Sequence, residues 1–123
     1  MIASGVHHIS FAVSDLERSC RFYEDVLGLA RIPRPDFGLP GVWYGVGNAQ
    51  VHLIETPKDF DVGAAPPTLT PIANHNAFAV DDYEKTVAHF KSHGVEVVET
   101  NAAMGQMWVR DPDGNVLEFI ADG

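Results

Sequence analysis

The sequence predicts an α+β fold made of two tandem β-α-β-β-β modules. Residues 8–17 and 75–84 both read H-x-x-F-A-V-x-D-x-E, at a constant offset of 67 residues. Each copy is followed by an amphipathic helical pattern and then by short strand-like segments. We therefore expect a single duplicated domain at 1–123, with one module at 5–55, a linker at 56–73 and a second module at 74–121.

The first strand of each module is indicated by alternating side-chain size. Between Val6 and Val13, His8 shares one face with small side chains, while the other face carries bulky apolar ones. His75 has the same position in the second copy, opposite Phe78. A sheet face with small residues around a histidine has room for a ligand, and the bulky face can pack under a helix.

A helix is predicted after each first strand. Asp15 and Asp82 can accept hydrogen bonds from the free amides of a first helical turn. Apolar residues then recur at spacings of three and four. Gly28 and Gly94 follow where a left-handed residue would end each helix.

Three further short strands are expected in each module. They are Leu29–Pro33, Val42–Val46 and Gln50–Glu55 in the first module, and Val95–Thr100, Gln106–Arg110 and Val116–Ile120 in the second. Turn sequences at 45–48 and 111–115 join the last two strands of each module. The linker is marked by four of the eight prolines in the chain.

Residues that can bind metals occupy equivalent positions in the two modules. His52 lies 44 residues after His8, and Glu118 lies 43 after His75, as a single deletion in the second copy would produce. Imidazole and carboxylate groups are common metal ligands. The repeat therefore predicts one metal site, built from both halves. His52 is either a fourth ligand or a hydrogen-bond donor beside the other three.

Composition narrows the possible partners. Eight basic and seventeen acidic residues give a net charge of −9, which disfavours nucleic acid and anionic membrane surfaces. The single cysteine, Cys20, cannot form an internal disulfide, and no apolar run is long enough for a signal peptide or membrane span. A cytoplasmic protein with a small-molecule substrate is expected.

Bulky side chains near the predicted ligand strands are candidates for the wall of a substrate pocket. One group follows or lies within a Gly/Pro-rich loop region, and the other flanks the hairpin that carries Glu118. Core packing is the alternative for about half of them. The six candidates are Phe37, Trp43, Tyr44, Met104, Met107 and Trp108.

The order and spacing of three segments carry a family resemblance. Residues 6–17, 22–29 and 111–119 together resemble the vicinal oxygen chelate superfamily, which includes glyoxalase I, methylmalonyl-CoA epimerase, extradiol dioxygenases, fosfomycin-resistance enzymes and bleomycin-resistance proteins. The resemblance covers nearly the whole chain. It implies a glyoxalase-like fold with curved half-barrel sheets, and it places the metal ligands at His8, His52, His75 and Glu118.

The resemblance also implies an activity. One divalent ion (nickel, zinc, cobalt, manganese or iron) would chelate two oxygens of a small substrate and stabilise an enolate or alkoxide, in an isomerase or lyase reaction with Glu118 as a catalytic residue. At the position of His52, glyoxalase I carries glutamate and the epimerase glutamine, so His52 cannot leave the metal and act as a base in the same way.

Two alternatives remain open. Without His52 in the ligand set, two histidines and a carboxylate form the arrangement used by ferrous dioxygenases. A metal-free drug-binding module of the bleomycin-resistance kind would do no chemistry. A homodimer is expected, because each half-sheet has edges to protect and related proteins close the site within or between chains.

Overall fold

The computed structural model describes residues 2–122, and the chain divides into two compact units with the boundary after Gly63. This boundary lies inside the predicted 56–73 linker. Each unit contains one four-stranded mixed sheet among the residues described. The predicted α+β class with tandem modules is confirmed. No helix within 2–122 is both long enough and apolar enough to cross a lipid bilayer.

Unit 1 follows the predicted β-α-β-β-β order. Its sheet has the order β1-β4-β3-β2, in which β1 and β4 are parallel and the other neighbours are antiparallel. The first helix continues directly into a π-helical turn. The elements are β1 (His8–Val13), α1 (Leu16–Arg21), the π-helical turn (Phe22–Val26), β2 (Ala30–Ile32), β3 (Gly41–Val46) and β4 (Ala49–Glu55).

Unit 2 repeats this topology. Its sheet has the order β5-β8-β7-β6, again with a parallel pair between the first and last strands of the module. The elements are β5 (His75–Ala79), α2 (Tyr83–Ser92), β6 (Val98–Glu99), β7 (Gln106–Arg110) and β8 (Val116–Ile120). The sequence repeat therefore corresponds to a structural repeat.

Strand register places the candidate ligands at equivalent points. His8 pairs with Gln50, two residues before His52. His75 pairs with Val116, two residues before Glu118. Because side chains two residues apart on a strand share a face, each module brings its two candidate ligands to one side of the parallel strand pair.

The predicted helix ends are confirmed. The Asp15 carboxylate accepts from the Arg18 amide at 3.0 Å, and Asp82 accepts from the Lys85 amide at 2.9 Å. Gly28 and Gly94 have φ angles of +74° and +71°, a left-handed conformation that costs glycine little. Both helices therefore begin and end where their caps predict.

Two elements differ from their predicted form. The first helix widens into a π-helical turn, where the Leu27 amide donates to the Phe22 carbonyl at 3.1 Å. Strand β6 is much shorter than the predicted Val95–Thr100. The Val95 amide donates to the Phe90 carbonyl at 3.0 Å, so the start of the predicted strand is used to terminate α2.

The bulky face of each sheet packs against a helix, as expected. In unit 1, the rings of Phe11 and Tyr23 are 5.7 Å apart, and both residues are buried. In unit 2, Phe119 on β8 lies 4.9 Å from Phe90 on α2, measured between ring centroids. The opposite face, which carries His8 in unit 1 and His75 in unit 2, is called the ligand face of each unit below.

Candidate metal site

On the ligand face of unit 2, His75 and Glu118 lie in direct contact. The Nε2 atom of His75 is 3.0 Å from Oε1 of Glu118, and its Nδ1 atom is 2.7 Å from the carbonyl oxygen of Ala73. A carbonyl only accepts hydrogen bonds, so Nδ1 carries a hydrogen. In the neutral ring, Nε2 then directs a lone pair toward a carboxylate oxygen. Two acceptors that face each other repel unless a proton or a cation lies between them.

The Glu118 carboxylate is held by two N–H donors from the neighbouring strand β7. Trp108 Nε1 donates to Oε1 at 3.0 Å, and Gln106 Nε2 donates to Oε2 at 3.3 Å. Trp108 is the direct cross-strand partner of Glu118, which is 7% exposed. These bonds offset part of the cost of burying the carboxylate and fix its orientation.

On the ligand face of unit 1, His52 lies between two aromatic rings. The His8 ring stacks on it from β1 with centroids 4.0 Å apart, and the Trp43 ring stacks from β3 at 4.2 Å. His52 Nε2 is 2.8 Å from Oε1 of Gln50. With this oxygen as acceptor, Nε2 carries the hydrogen and Nδ1 the lone pair. His7 precedes β1 and is exposed.

Burial lowers the pKa of His52, and electrostatic interactions with His8, His7 and Arg34 lower it further. The ring is therefore held in its neutral form. A neutral imidazole is the form that binds a metal, because protonation removes the donating lone pair.

The two ligand faces share a second equivalence. Trp43 is the direct cross-strand partner of His52, just as Trp108 is that of Glu118. Both tryptophans were predicted to be part of a pocket wall. The hydrogen-bonding roles of Gln50 and Gln106 were not predicted. The two-residue spacing between Gln50 and His52 could have indicated the role of Gln50.

The other proposed pocket residues separate into two groups. Phe37 and Met104 are exposed, and the Phe37 ring lies 5.8 Å from that of Trp43. Tyr44 and Met107 are fully buried and lie in the cores instead, because each is one residue out of phase with the ligand face. The Tyr44 hydroxyl donates to Glu24 at 2.8 Å beneath the sheet.

Two further glutamates near the strand ends, Glu55 and Glu99, have structural partners. Glu55 accepts a hydrogen bond from the Leu16 amide at 2.8 Å and so helps to cap α1. Glu99 forms an ion pair with Lys91 at 2.8 Å. Neither carboxylate lies free beside a candidate ligand.

Each unit thus brings together one pair of the predicted ligands. Within residues 2–122, no group of three or more His, Cys, Asp or Glu side chains is arranged to hold a metal ion. The pairs are His8 with His52 and His75 with Glu118. A site that uses all four residues stays a prediction.

The sequence and the structure of this chain are similar to those of known proteins with a glyoxalase fold. The chain is 32% identical to a lactoylglutathione lyase of Neisseria meningitidis over 92% of this chain and 87% of that protein. It is 28% identical to a probable trivalent organoarsenical cleaving enzyme of Bacillus subtilis, over 92% of this chain and 77% of that protein. A crystal structure of a glyoxalase family protein from Bacillus anthracis superimposes with a TM-score of 0.75 at 26% identity, covering 97% of this chain and 95% of that one. Residues 5–119 match the family model, and the chain belongs to the Glyoxalase/Bleomycin resistance protein/Dioxygenase superfamily.

Proposed function

We propose that this protein is a metal-dependent enzyme of the isomerase or lyase type, in which His8, His52, His75 and Glu118 bind one divalent ion. The observation that carries the proposal is the contact between Nε2 of His75 and Oε1 of Glu118 at 3.0 Å, with Nδ1 held by a backbone carbonyl. Histidines that bind metals commonly donate their other N–H in this way. The similarity to a lactoylglutathione lyase supports the reaction class.

The donor set fits a divalent ion. Three neutral imidazoles and one carboxylate would leave one net positive charge and, in an octahedral shell, two free positions. A divalent ion bound there supplies Lewis-acid stabilisation of negative charge on two neighbouring substrate oxygens. The two ligand pairs come either from one chain or from two copies of it.

Glu118 is proposed to have a second, catalytic role. A carboxylate in this position can hold the proton removed from the carbon next to a substrate carbonyl. The N–H donors of Trp108 and Gln106 keep its two oxygens in a fixed orientation during that transfer. Trp43 and Phe37 supply an apolar wall on the ligand face of unit 1, which helps to exclude water.

The metal content of protein purified without added ion tests this proposal. We expect a divalent ion at about one per pair of units, and its loss in His75→Ala. His89→Ala is the matched control, because His89 is an exposed histidine on α2 and its loss should leave the metal in place. Metal-free native protein, or equal retention in the two variants, would contradict the proposal and favour a drug-binding module without chemistry.

A further inference from the structure

Arg34 carries a charge that no described carboxylate neutralises. It forms no ion pair within residues 2–122, and its Nε atom is buried without a hydrogen-bond partner. The guanidinium carbon lies 5.2 Å from the centroid of the Phe37 ring. A buried N–H without an acceptor is rare in proteins. Packing against the Phe37 ring therefore holds the guanidinium in place, and its hydrogen-bonding capacity is not fully used.

The guanidinium lies on the ligand face of unit 1. A Cβ atom at Gly41 would be 2.7 Å from Nη2 of Arg34, so the side chain rests against the backbone where only glycine leaves room. Gly41 is two residues before Trp43 on β3, and the two therefore share a face of the sheet. Trp43 in turn stacks on His52.

A continuous row of rings connects this charge with the candidate metal ligand. His52 stacks on Trp43 at 4.2 Å, and Trp43 contacts Phe37 at 5.8 Å, both measured between ring centroids. Phe37 then contacts the Arg34 guanidinium.

An open depression of about 680 Å³ lies beside Arg34, lined mainly by the 34–42 segment. Arg31 also lines it, but Glu24 accepts from the Arg31 guanidinium at 2.8 Å and neutralises its charge. Arg34 is therefore the cation of this depression that remains available to an anionic ligand.

We propose that Arg34 and this depression form a subsite for a carboxylate group of a small organic anion. A single planar guanidinium matches a carboxylate in charge and geometry. Asp36 also lines the depression and repels anions, a doubly charged phosphate group more strongly than a singly charged carboxylate group.

Titration of metal-free protein with glutarate, followed by NMR of the backbone amides, tests the subsite. We expect saturable shifts in the 34–42 segment, about ten-fold or more weaker binding in Arg34→Gln, and unchanged binding in Arg31→Gln. Arg34→Lys keeps a charge in case the glutamine variant folds poorly, and it should bind with intermediate affinity. The uncharged glutaramide should not bind measurably.

The subsite is overturned if native protein shows no saturable shifts, if Arg34→Gln or Arg34→Lys binds glutarate as well as native protein does, or if glutaramide binds equally. Inorganic phosphate that binds more tightly than glutarate would overturn the carboxylate assignment. Metal content is measured separately, on native protein purified without added ion and before any metal is removed for the titration, and it separates the two proposals. Metal without glutarate binding removes only the subsite, and glutarate binding without metal removes only the proposed function.

Discussion

The imidazole of His75 and the carboxylate of Glu118 meet at 3.0 Å, while the other ring nitrogen donates to the Ala73 carbonyl at 2.7 Å. The backbone bond fixes which nitrogen faces the carboxylate. A cation between the two groups would satisfy both lone pairs, whereas a neutral pair would leave two acceptors facing each other. The contact therefore brings the imidazole at the start of β5 beside the carboxylate in the middle of β8, where a bound cation would be stabilised by both groups.

The first prediction is that Glu118→Gln weakens metal binding much more than Glu55→Gln. The substitution removes the carboxylate charge, the largest electrostatic contribution to holding a cation here. Changes to groups that merely support a ligand already cost about 10- to 100-fold in metal affinity, so at least this loss is expected. Competition with a chromophoric chelator measures the affinities.

Glu55 is a suitable control because it caps α1 through the Leu16 amide and an amide oxygen can still accept that bond. Both variants should show native circular dichroism. If the two retain metal equally well, Glu118 does not belong to the site.

A second prediction separates the two tryptophans. Trp108→Phe removes the indole N–H that donates to Glu118 at 3.0 Å, and a loss of about 10-fold or more in metal affinity is expected. Trp43→Phe keeps an aromatic ring against His52 and should change metal affinity less. Equal effects of the two substitutions would show that the hydrogen bond to Glu118 does not orient a ligand.

A third prediction concerns acid stability in unit 1. Burial alone would raise the pKa of Glu24, but hydrogen bonds from Arg31 and Tyr44 outweigh it, and the pKa lies below its ordinary 4.5. The unfolded chain therefore binds the proton more readily than the folded chain. This contribution to stability is present above pH 4.5 and is lost as the pH falls through the folded-state pKa.

Glu24→Gln should therefore flatten the pH dependence of the free energy of unfolding below pH 4.5. The effect should be at most about 1 kcal/mol, because the ion pair with Arg31 is largely exposed to solvent. Urea unfolding at a series of pH values measures it. An unchanged slope in the variant would show that other carboxylates account for the acid sensitivity.

Strand periodicity predicted most of the fold. Gln106–Arg110 and Val116–Ile120 were predicted to the residue, because alternating patterns and a strong turn bound both. Tyr44 and Met107 were placed in the pocket because residue type was considered without strand phase. Counting in steps of two from His52 through its cross-strand partner would have assigned Tyr44 to the core.

Other features depend on tertiary contacts that a single sequence does not display. The π-helical turn of Phe22–Val26 is not visible in a pattern that fits an ordinary helix. Among residues 2–122, Arg34 makes no ion pair although Arg31, three residues earlier, is paired, and composition could not distinguish the two arginines. Its distinction from Arg31 comes from the packing of the 34–42 segment.

A fourth prediction is that the protein forms a homodimer. The strands β2 and β6 end the two sheets as described and leave backbone groups that a second copy can cover. Sedimentation equilibrium at micromolar concentration should give twice the 13.4 kDa mass of the chain. A mass of one chain under these conditions would contradict the prediction and require both ligand pairs to come from the same copy.

The last prediction concerns His52, which decides between non-redox and oxygen-dependent chemistry. His52 is equivalent to Glu118 by strand register, and burial favours its neutral form. If it binds the metal, three imidazoles and a carboxylate leave few free positions, so the reaction should proceed without dioxygen. Nickel, cobalt, zinc or manganese should then replace iron with activity retained. His52→Gln should lower metal affinity by about 10-fold or more. Activity that strictly requires ferrous iron and dioxygen, together with unchanged metal affinity in His52→Gln, would instead show that His52 lies beside the ligand set and that the isomerase or lyase assignment is wrong.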